Sequence, residues 1–225
     1  MGDVALAVIG TFFGRPENTF ALMHRLFVDG TRQPDEAWLM CETAEDRDNI
    51  FAAFQELYDL ELLDGIPDGC NVLHYPTPLD AGRYAVIPYS NKINAALDAT
   101  QADLIVYLDN GSMPGPDKYR VMAEALEKHP EWGAVFCTQQ RTGFSPQTHV
   151  ADGIVTDGYC AVNYTQVMHR LTTDRWELDM RHANPDLADA LFWRALHRSL
   201  GDFHPAGGTT VHDFHHIPNP AAVGI

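Results

Sequence analysis

The sequence predicts an α/β fold with a mostly parallel central sheet flanked by helices. Short apolar runs alternate with helical patterns over the first 140 residues, and such alternation favours a sheet covered by helices on both faces. The run 104–108 is apolar on both faces, which is typical of a central parallel strand. Polar residues follow several of these runs, at the edge where open α/β sheets bind their ligands.

Five short apolar runs are predicted as strands because they are rich in β-favouring residues and end at turn or polar residues. They cover residues 4–9, 37–41, 71–75, 104–108 and 134–137.

Start signals predict the helices that connect these strands. Pro16 suits the first turn of a helix, and Thr43 with Asp46 resembles a capping arrangement. Ser90 is a candidate N-cap for a third helix, and Pro116 opens a fourth.

Beyond residue 140 the pattern changes. Residues 139–156 are polar and rich in turn formers, whereas 163–171 is predicted as a short helix and 186–200 as a longer one. The tail from Gly201 is rich in Gly, Pro and His. No linker separates this part from the first half, so we expect residues 1–225 to form a single domain.

The composition restricts the classes of partner. The 225 residues include 31 Asp and Glu against 15 Lys and Arg, which gives a formal net charge of −16. Such acidity disfavours a broad surface for nucleic-acid phosphates and a surface for anionic membranes, since both need clustered Lys and Arg. The composition leaves open how so acidic a chain would hold an anionic ligand.

The cysteines and the N-terminus indicate the compartment. Four cysteines, at positions 41, 70, 137 and 160, form no CxxC pair, which favours free thiols in a reducing compartment. No apolar run approaches the ~20 residues of a membrane span. Asp3 stands where a signal peptide would carry basic residues. We therefore expect a soluble, cytoplasmic protein.

Asp109 follows the buried run 104–108 directly, in the sequence Leu-Asp-Asn-Gly-Ser. A carboxylate at the carboxyl end of such a strand suits Mg²⁺ or Mn²⁺ that holds a diphosphate. Asp-Asn-Gly is also strong turn chemistry, so a plain Asx turn is the alternative interpretation.

A second candidate is the turn over residues 10–17, Gly-Thr-Phe-Phe-Gly-Arg-Pro-Glu. It offers backbone amides at a helix N-terminus, an aromatic face and the cation of Arg15, a set that suits a nucleotide. The alternative is an ordinary connection with a solvated Arg15. The turn lacks GxGxxG and GxxxxGK[ST], so the sequence supports neither a Rossmann dinucleotide site nor a P-loop.

Four segments, taken in order, resemble those of the family 2 glycosyltransferases of the GT-A fold, a Rossmann-like fold of nucleotide-diphospho-sugar transferases. They are AVIGTFFGRPENTFALMHRLF, EAWLMCET, NKINAALDATQADLIVYLDNGSMPGPDKYRVMAEALEKHPEWGAVF and PDLADALFWRALHRSLGDFHPAG. Order and spacing carry the resemblance over most of the chain. It implies that residues 1–140 bind the nucleotide sugar and that 141–225, with its His-rich tail, bind the acceptor.

The resemblance also implies the residues of a nucleotide-sugar site. Three would lie around the base and ribose, one would follow the second strand, three would stand on a helix start, and two belong to the D-x-D motif beside the diphosphate. They are Thr11, Phe13, Arg15, Glu42, Asn91, Lys92, Asn94, Asp109 and Asn110.

The D-x-D motif departs from the family pattern, because Gly111 replaces its second acid. Either metal affinity is low, or another ligand compensates, or catalysis is lost. By resemblance, Asp109 and a histidine near the C-terminus would hold Mn²⁺ or Mg²⁺, with His212 the first choice and His215 the second. A solvated His-rich turn and a separate zinc site are the alternatives.

In inverting members of the family, a carboxylate in the second half acts as general base on the acceptor hydroxyl. Asp186 and Asp189, three residues apart at the start of a helix, are the candidates, and Asp189 is preferred. Tyr159, Tyr164 and two tryptophans, Trp176 and Trp193, are interpreted as core or pocket-wall rings rather than as sugar platforms.

Together these features predict a glycosyltransferase of hexosyltransferase type. It would move a sugar, with a UDP-sugar as favoured donor, to an acceptor hydroxyl of unknown identity, with metal assistance and inversion. A nucleotidyltransferase and a catalytically inactive module that binds a sugar nucleotide or glycan are the alternatives. A nucleic-acid acceptor is less favoured than a glycan, a protein or a small molecule, and we expect donor binding to depend on a divalent cation.

Overall fold

A computed structural model describes residues 4–76, 88–141, 155–156, 159–160, 164–176 and 187–212. Its strands are β1 (Leu6–Phe12), β2 (Glu36–Cys41), β3 (Cys70–His74), β4 (Leu104–Asp109), β5 (Ser112–Pro114), β6 (Ala134–Arg141), β7 (Val155–Thr156), β8 (Tyr159–Cys160), β9 (Val167–Arg170) and β10 (Phe203–His212). Its α-helices are α1 (Thr19–His24), α2 (Ala44–Asp59), α3 (Pro88–Ala99), α4 (Lys118–Lys128) and α5 (Leu187–Leu200). Short 3₁₀ turns at Pro16–Asn18 and Tyr164–Gln166 precede α1 and β9, and a π-helical turn, Arg25–Asp29, extends α1.

Eight of these strands form one mixed sheet in the order β3-β2-β1-β4-β9-β6-β10-β5. The strands β3, β2, β1 and β4 are parallel, as are β6 and β10. β9 runs antiparallel to both β4 and β6, and β5 runs antiparallel to β10. The α/β prediction is thus confirmed, whereas the expectation of a mostly parallel sheet is only partly correct.

Two strands account for this difference. β9 lies in the stretch 163–171 that was predicted as helical, and it adopts strand geometry because β4 and β6 pair with it on both sides. β10 lies in the Gly- and Pro-rich tail that predicts no regular element. It pairs with β6 across a register shift between Pro205 and Thr209, and this irregularity accommodates the glycines between them.

The sheet buries a different cluster on each face. The cluster that we call the aliphatic face packs β1, β2 and β4 against α1, α2 and α4 and contains mainly Leu, Ile, Val and Met. The cluster that we call the aromatic face lies under α3 and α5. Its buried rings are Tyr107, Trp176, Phe192, Trp193, Phe136 and Phe203.

The helix starts agree with the sequence in part. Thr43 and Asp46 form a reciprocal capping box at the start of α2, as predicted. Ser90 is wrong as a cap, because it lies buried inside α3.

Among the described residues, none of the helices has the length and apolar character needed to cross a lipid bilayer. Cys41, Cys70 and Cys137, which also lie in the described part of the chain, are free thiols.

Candidate functional site

The carboxyl ends of the parallel strands bring several predicted residues to one edge of the sheet. Thr11 in β1 lies directly opposite Asp109 in β4. Glu42 follows β2, and its backbone amide donates to the carbonyl of Phe12 at 3.0 Å. The edge therefore carries a hydroxyl and two carboxylates that come from three neighbouring strands.

The carboxylate of Asp109 is held by two hydrogen bonds. Its Oδ1 accepts from the backbone amide of Gly111 at 2.8 Å, and its Oδ2 accepts from the hydroxyl of Tyr164 at 2.8 Å. That hydroxyl also lies 3.5 Å from Oγ1 of Thr11. Sequence reasoning placed Tyr164 in the core or pocket wall and missed this contact, because 55 residues separate it from Asp109.

The turn after β1 is held by side-chain amides and a carboxylate. The side chain of Asn110 donates to the carbonyl of Phe13 at 3.2 Å, and the side chain of Asn18 donates to the carbonyl of Asn110 at 2.7 Å. Gly14 has a φ of 62°, a conformation that favours glycine, and its amide donates to Oδ1 of Asp46 at 2.8 Å. The turn is thus fixed against both the β4–β5 loop and the start of α2.

The guanidinium of Arg15 lies against Gly111. A Cβ atom added at Gly111 would stand 2.9 Å from Nη1 and 3.4 Å from Cζ of Arg15. The same point is 3.3 Å from Oδ1 of Asp109. A cation and a carboxylate therefore flank the position where the second acid of a D-x-D motif would begin its side chain.

The helix α3 uses its predicted residues in three ways. Lys92, whose side chain is only 3% exposed, forms an ion pair with Glu42. Asn94 clamps the backbone of Trp176 with both amide atoms, at 2.8 and 2.9 Å. Asn91 lines a cavity of about 540 Å³, together with Tyr75, Asn94, Ala95, Asp98, Arg175 and Trp176.

An exposed aromatic ring lies beside Arg15, and a buried lysine lies behind the site. Phe13 is 68% exposed beside Arg15, so its ring is available to stack on a flat ligand. Behind the site, the fully buried Lys118 donates to the carbonyl of Thr165. Burial lowers the pKa of this lysine, while the thiol of Cys137 and then the carboxylate of Asp109 act in the opposite direction.

The predicted base and metal ligands are only partly within the described residues. Asp189 lies in the first turn of α5 and His212 lies opposite Ser112 at the end of β10, but neither side chain is among those that the structure describes. Asp186 and His215 lie outside the described residues. The roles of these four residues stay predictions.

The side chains around Asp109 do not by themselves fit a divalent cation. Both oxygens of Asp109 already accept hydrogen bonds, and Arg15 brings a positive charge to the place of the missing acid. Within the part of the chain that the structure describes, no three or more His, Cys, Asp and Glu side chains are grouped as metal ligands. Binding of Mn²⁺ or Mg²⁺ stays a prediction that depends on His212 and His215.

No family model matches the chain, and no curated protein matches it. The solved structures that match include two of residues 1–349 of TarS from S. aureus, a GT-A family 2-like glycosyltransferase. The one in complex with UDP-GlcNAc has 12% sequence identity and a TM-score of 0.64, and the match covers 93% of this chain and 58% of that chain. The other has 11% identity and a TM-score of 0.56, with coverage of 92% and 57%. The chain thus spans less than two thirds of either TarS chain, and it has the GT-A fold that the resemblance implied.

Proposed function

We propose that the protein is a glycosyltransferase that transfers a sugar from a nucleotide-diphosphate donor, preferably a UDP-sugar, to an acceptor hydroxyl. The observation that carries this proposal is the convergence of Thr11, Glu42, Asp109 and Arg15 at one edge of a GT-A sheet. A crystal structure with the same fold contains UDP-GlcNAc, which supports a donor of this class.

The exposed ring of Phe13 and the carboxylate of Glu42 suit the base and ribose of the donor. The ion pair with Lys92 orients the carboxylate of Glu42, which can accept hydrogen bonds from ribose hydroxyls. Arg15, whose guanidinium lies against Gly111, would donate to the diphosphate, and both oxygens of Asp109 nearby are held by hydrogen bonds.

The proposed reaction is a direct displacement with inversion. The acceptor oxygen attacks the anomeric carbon, its proton passes to a carboxylate, and the bond to the nucleoside diphosphate breaks. We propose Asp189, in the first turn of α5, as this base, with Asp186, three residues earlier in the sequence, as the alternative. The acidic composition and the free thiols are consistent with action in a reducing, cytoplasmic compartment.

The test is a donor screen with the purified protein against UDP-, GDP- and dTDP-linked hexoses, read by mass spectrometry as transfer or hydrolysis. We expect turnover with one UDP-sugar and its loss in Asp109→Ala. Asp103→Ala is the matched control, because Asp103 precedes the same strand at its other end, where its carboxylate accepts a hydrogen bond from the amide of Ala5. Equal turnover in wild type and Asp109→Ala would remove Asp109 from the mechanism.

A binding module without catalysis is the second candidate, and Gly111 in the D-x-D motif favours it. Calorimetry with UDP and the UDP-sugars separates the two functions. Binding with no turnover of any donor would identify the module, whereas binding with turnover supports the transferase.

A further inference from the structure

We infer that Arg15 supplies the positive charge that faces the donor diphosphate, in the place where a second D-x-D acid would bring a divalent metal. This inference rests on the proposed function. Its consequence is that the donor binds in the absence of any divalent cation, which is the opposite of the expectation from net charge and family resemblance.

Arg15 occupies the space that a side chain at position 111 would need. The point where a side chain at position 111 would begin is 2.9 Å from Nη1 of Arg15, closer than real Cβ atoms come to other atoms. A side chain at position 111 would push the tip of Arg15 away from its present position. Glycine at position 111 leaves the guanidinium where it lies, beside Asp109.

The charges beside the donor diphosphate also differ from those of a D-x-D motif with two acids. Two carboxylates beside a diphosphate would repel it, and a divalent cation is needed to reverse that repulsion. Here the second carboxylate is absent and the guanidinium of Arg15 lies beside Asp109, in a chain with a net charge of −16. The planar guanidinium also offers several N–H donors, which suit the oxygens of a diphosphate.

Hydrogen bonds hold the turn that carries Arg15. The residue before Arg15 is held by the bond from the amide of Gly14 to Asp46, and Pro16 follows it with a fixed φ. The bonds of Asn110 to Phe13 and of Asn18 to Asn110 hold the two loops together. The backbone at Arg15 is therefore ordered before the donor arrives, and binding does not have to order it.

The test is calorimetry of UDP and of the accepted UDP-sugar with the full chain, in EDTA and in Mn²⁺. We expect dissociation constants that agree within about threefold, a difference of less than 1 kcal/mol. In EDTA, Arg15→Ala should weaken binding by about tenfold or more, the effect of losing a charged hydrogen bond, and Arg15→Lys should recover part of it. Arg120→Ala is the control, since Arg120 pairs with Glu124 on the surface of α4.

Gly111→Asp provides the reverse test. The new carboxylate would displace Arg15, so binding in EDTA should fall about tenfold and Mn²⁺ should restore it. A wild-type protein that binds UDP only with Mn²⁺ would overturn the inference and leave the proposed function intact. A protein that binds neither UDP nor any UDP-sugar under either condition would overturn both.

Discussion

The two faces of the central sheet differ in chemistry and in their relation to the site. The aliphatic face is built mainly from Leu, Ile, Val and Met side chains that pack between β1, β2, β4 and three helices. The aromatic face continues to the carboxyl edge, because alternate residues of a strand share one face, and Tyr107 therefore shares its face with Asp109. Tyr164 completes this connection, because it bonds Asp109 and contacts the ring of Trp176 edge to face. The comparison indicates that one face stabilises the fold while the other also positions the site.

The largest expected effect comes from truncation of a ring in the aromatic face. Phe192 is buried and stacks on Trp176 at 4.5 Å between ring centroids. Phe192→Ala should lower the free energy of unfolding by about 3–5 kcal/mol. Because Trp176 contacts Tyr164, it should also weaken donor binding.

The matched control for this prediction lies in the aliphatic face. Leu22→Ala in α1 should cost about 2–5 kcal/mol, with donor affinity unchanged at temperatures where the variant is folded. Urea unfolding and calorimetry measure the two quantities. Equal losses of affinity in the two variants would contradict the division between the faces.

The second prediction concerns the pH dependence of stability, which we assign to a histidine of the aromatic face. His169 is buried in the aromatic face; its Nδ1 donates to the carbonyl of Arg170 at 2.7 Å, so its Nε2 accepts from the hydroxyl of Tyr107 at 2.8 Å. Burial lowers the pKa of this imidazole to about 4. Because the folded protein disfavours the protonated imidazole, the free energy of unfolding is highest above pH 6.5. It falls as the pH drops from 6.5 towards 4.

The loss should approach roughly 3 kcal/mol, at about 1.4 kcal/mol for each unit of pKa. Urea midpoints between pH 7 and pH 4 measure it. His169→Phe should be less stable at pH 7, because the hydroxyl of Tyr107 loses its acceptor, and it should lack this part of the acid dependence. An unchanged slope in the variant would contradict the assignment to His169.

Sequence patterns predicted the parallel strands of the first 140 residues and helix α5 better than the last two strands of the sheet. The parallel strands and the capping box of α2 follow from local periodicity and from the pair Thr43 and Asp46. β9 and β10 could not be predicted in this way. β10 contains Pro205 and two glycines, which weaken any local strand preference, and it is a strand because β6 and β5 pair with it.

The candidate site shows the same division. The position of Asp109 and Glu42 after strands predicted a common edge, since the carboxyl ends of parallel strands meet there. The contacts of Tyr164 with Asp109 and of Arg15 with Gly111 join distant parts of the chain, and no local pattern encodes them. The sequence signal at this place was Gly111, which stands where the second acid of a D-x-D motif would be and lies against the guanidinium of Arg15.

The third prediction isolates the link between the aromatic face and the site. Tyr164→Phe removes only the hydroxyl that bonds Asp109. Donor affinity should fall because Asp109 loses one of the two hydrogen bonds that orient it, while stability should change by about 1 kcal/mol or less. Tyr119→Phe on the aliphatic face is the control, since the Tyr119 hydroxyl is buried without a hydrogen-bond partner among the described residues. This variant should keep both its affinity and its stability, and a loss of donor affinity there would show that the affinity responds to any buried hydroxyl.

The smallest effect is expected where the aliphatic face meets the site, at the capping box. Thr43→Ala and Asp46→Ala both remove reciprocal bonds at the start of α2, and each should cost about 1 kcal/mol of stability. Only Asp46 also binds the amide of Gly14, the residue before Arg15. Asp46→Ala should therefore weaken donor binding about threefold, through a less ordered Arg15, whereas Thr43→Ala should leave it unchanged. Calorimetry at a temperature where both variants are folded measures their donor affinities. An equal effect of both substitutions on affinity would mean that helix α2, rather than the turn, holds Arg15 in place.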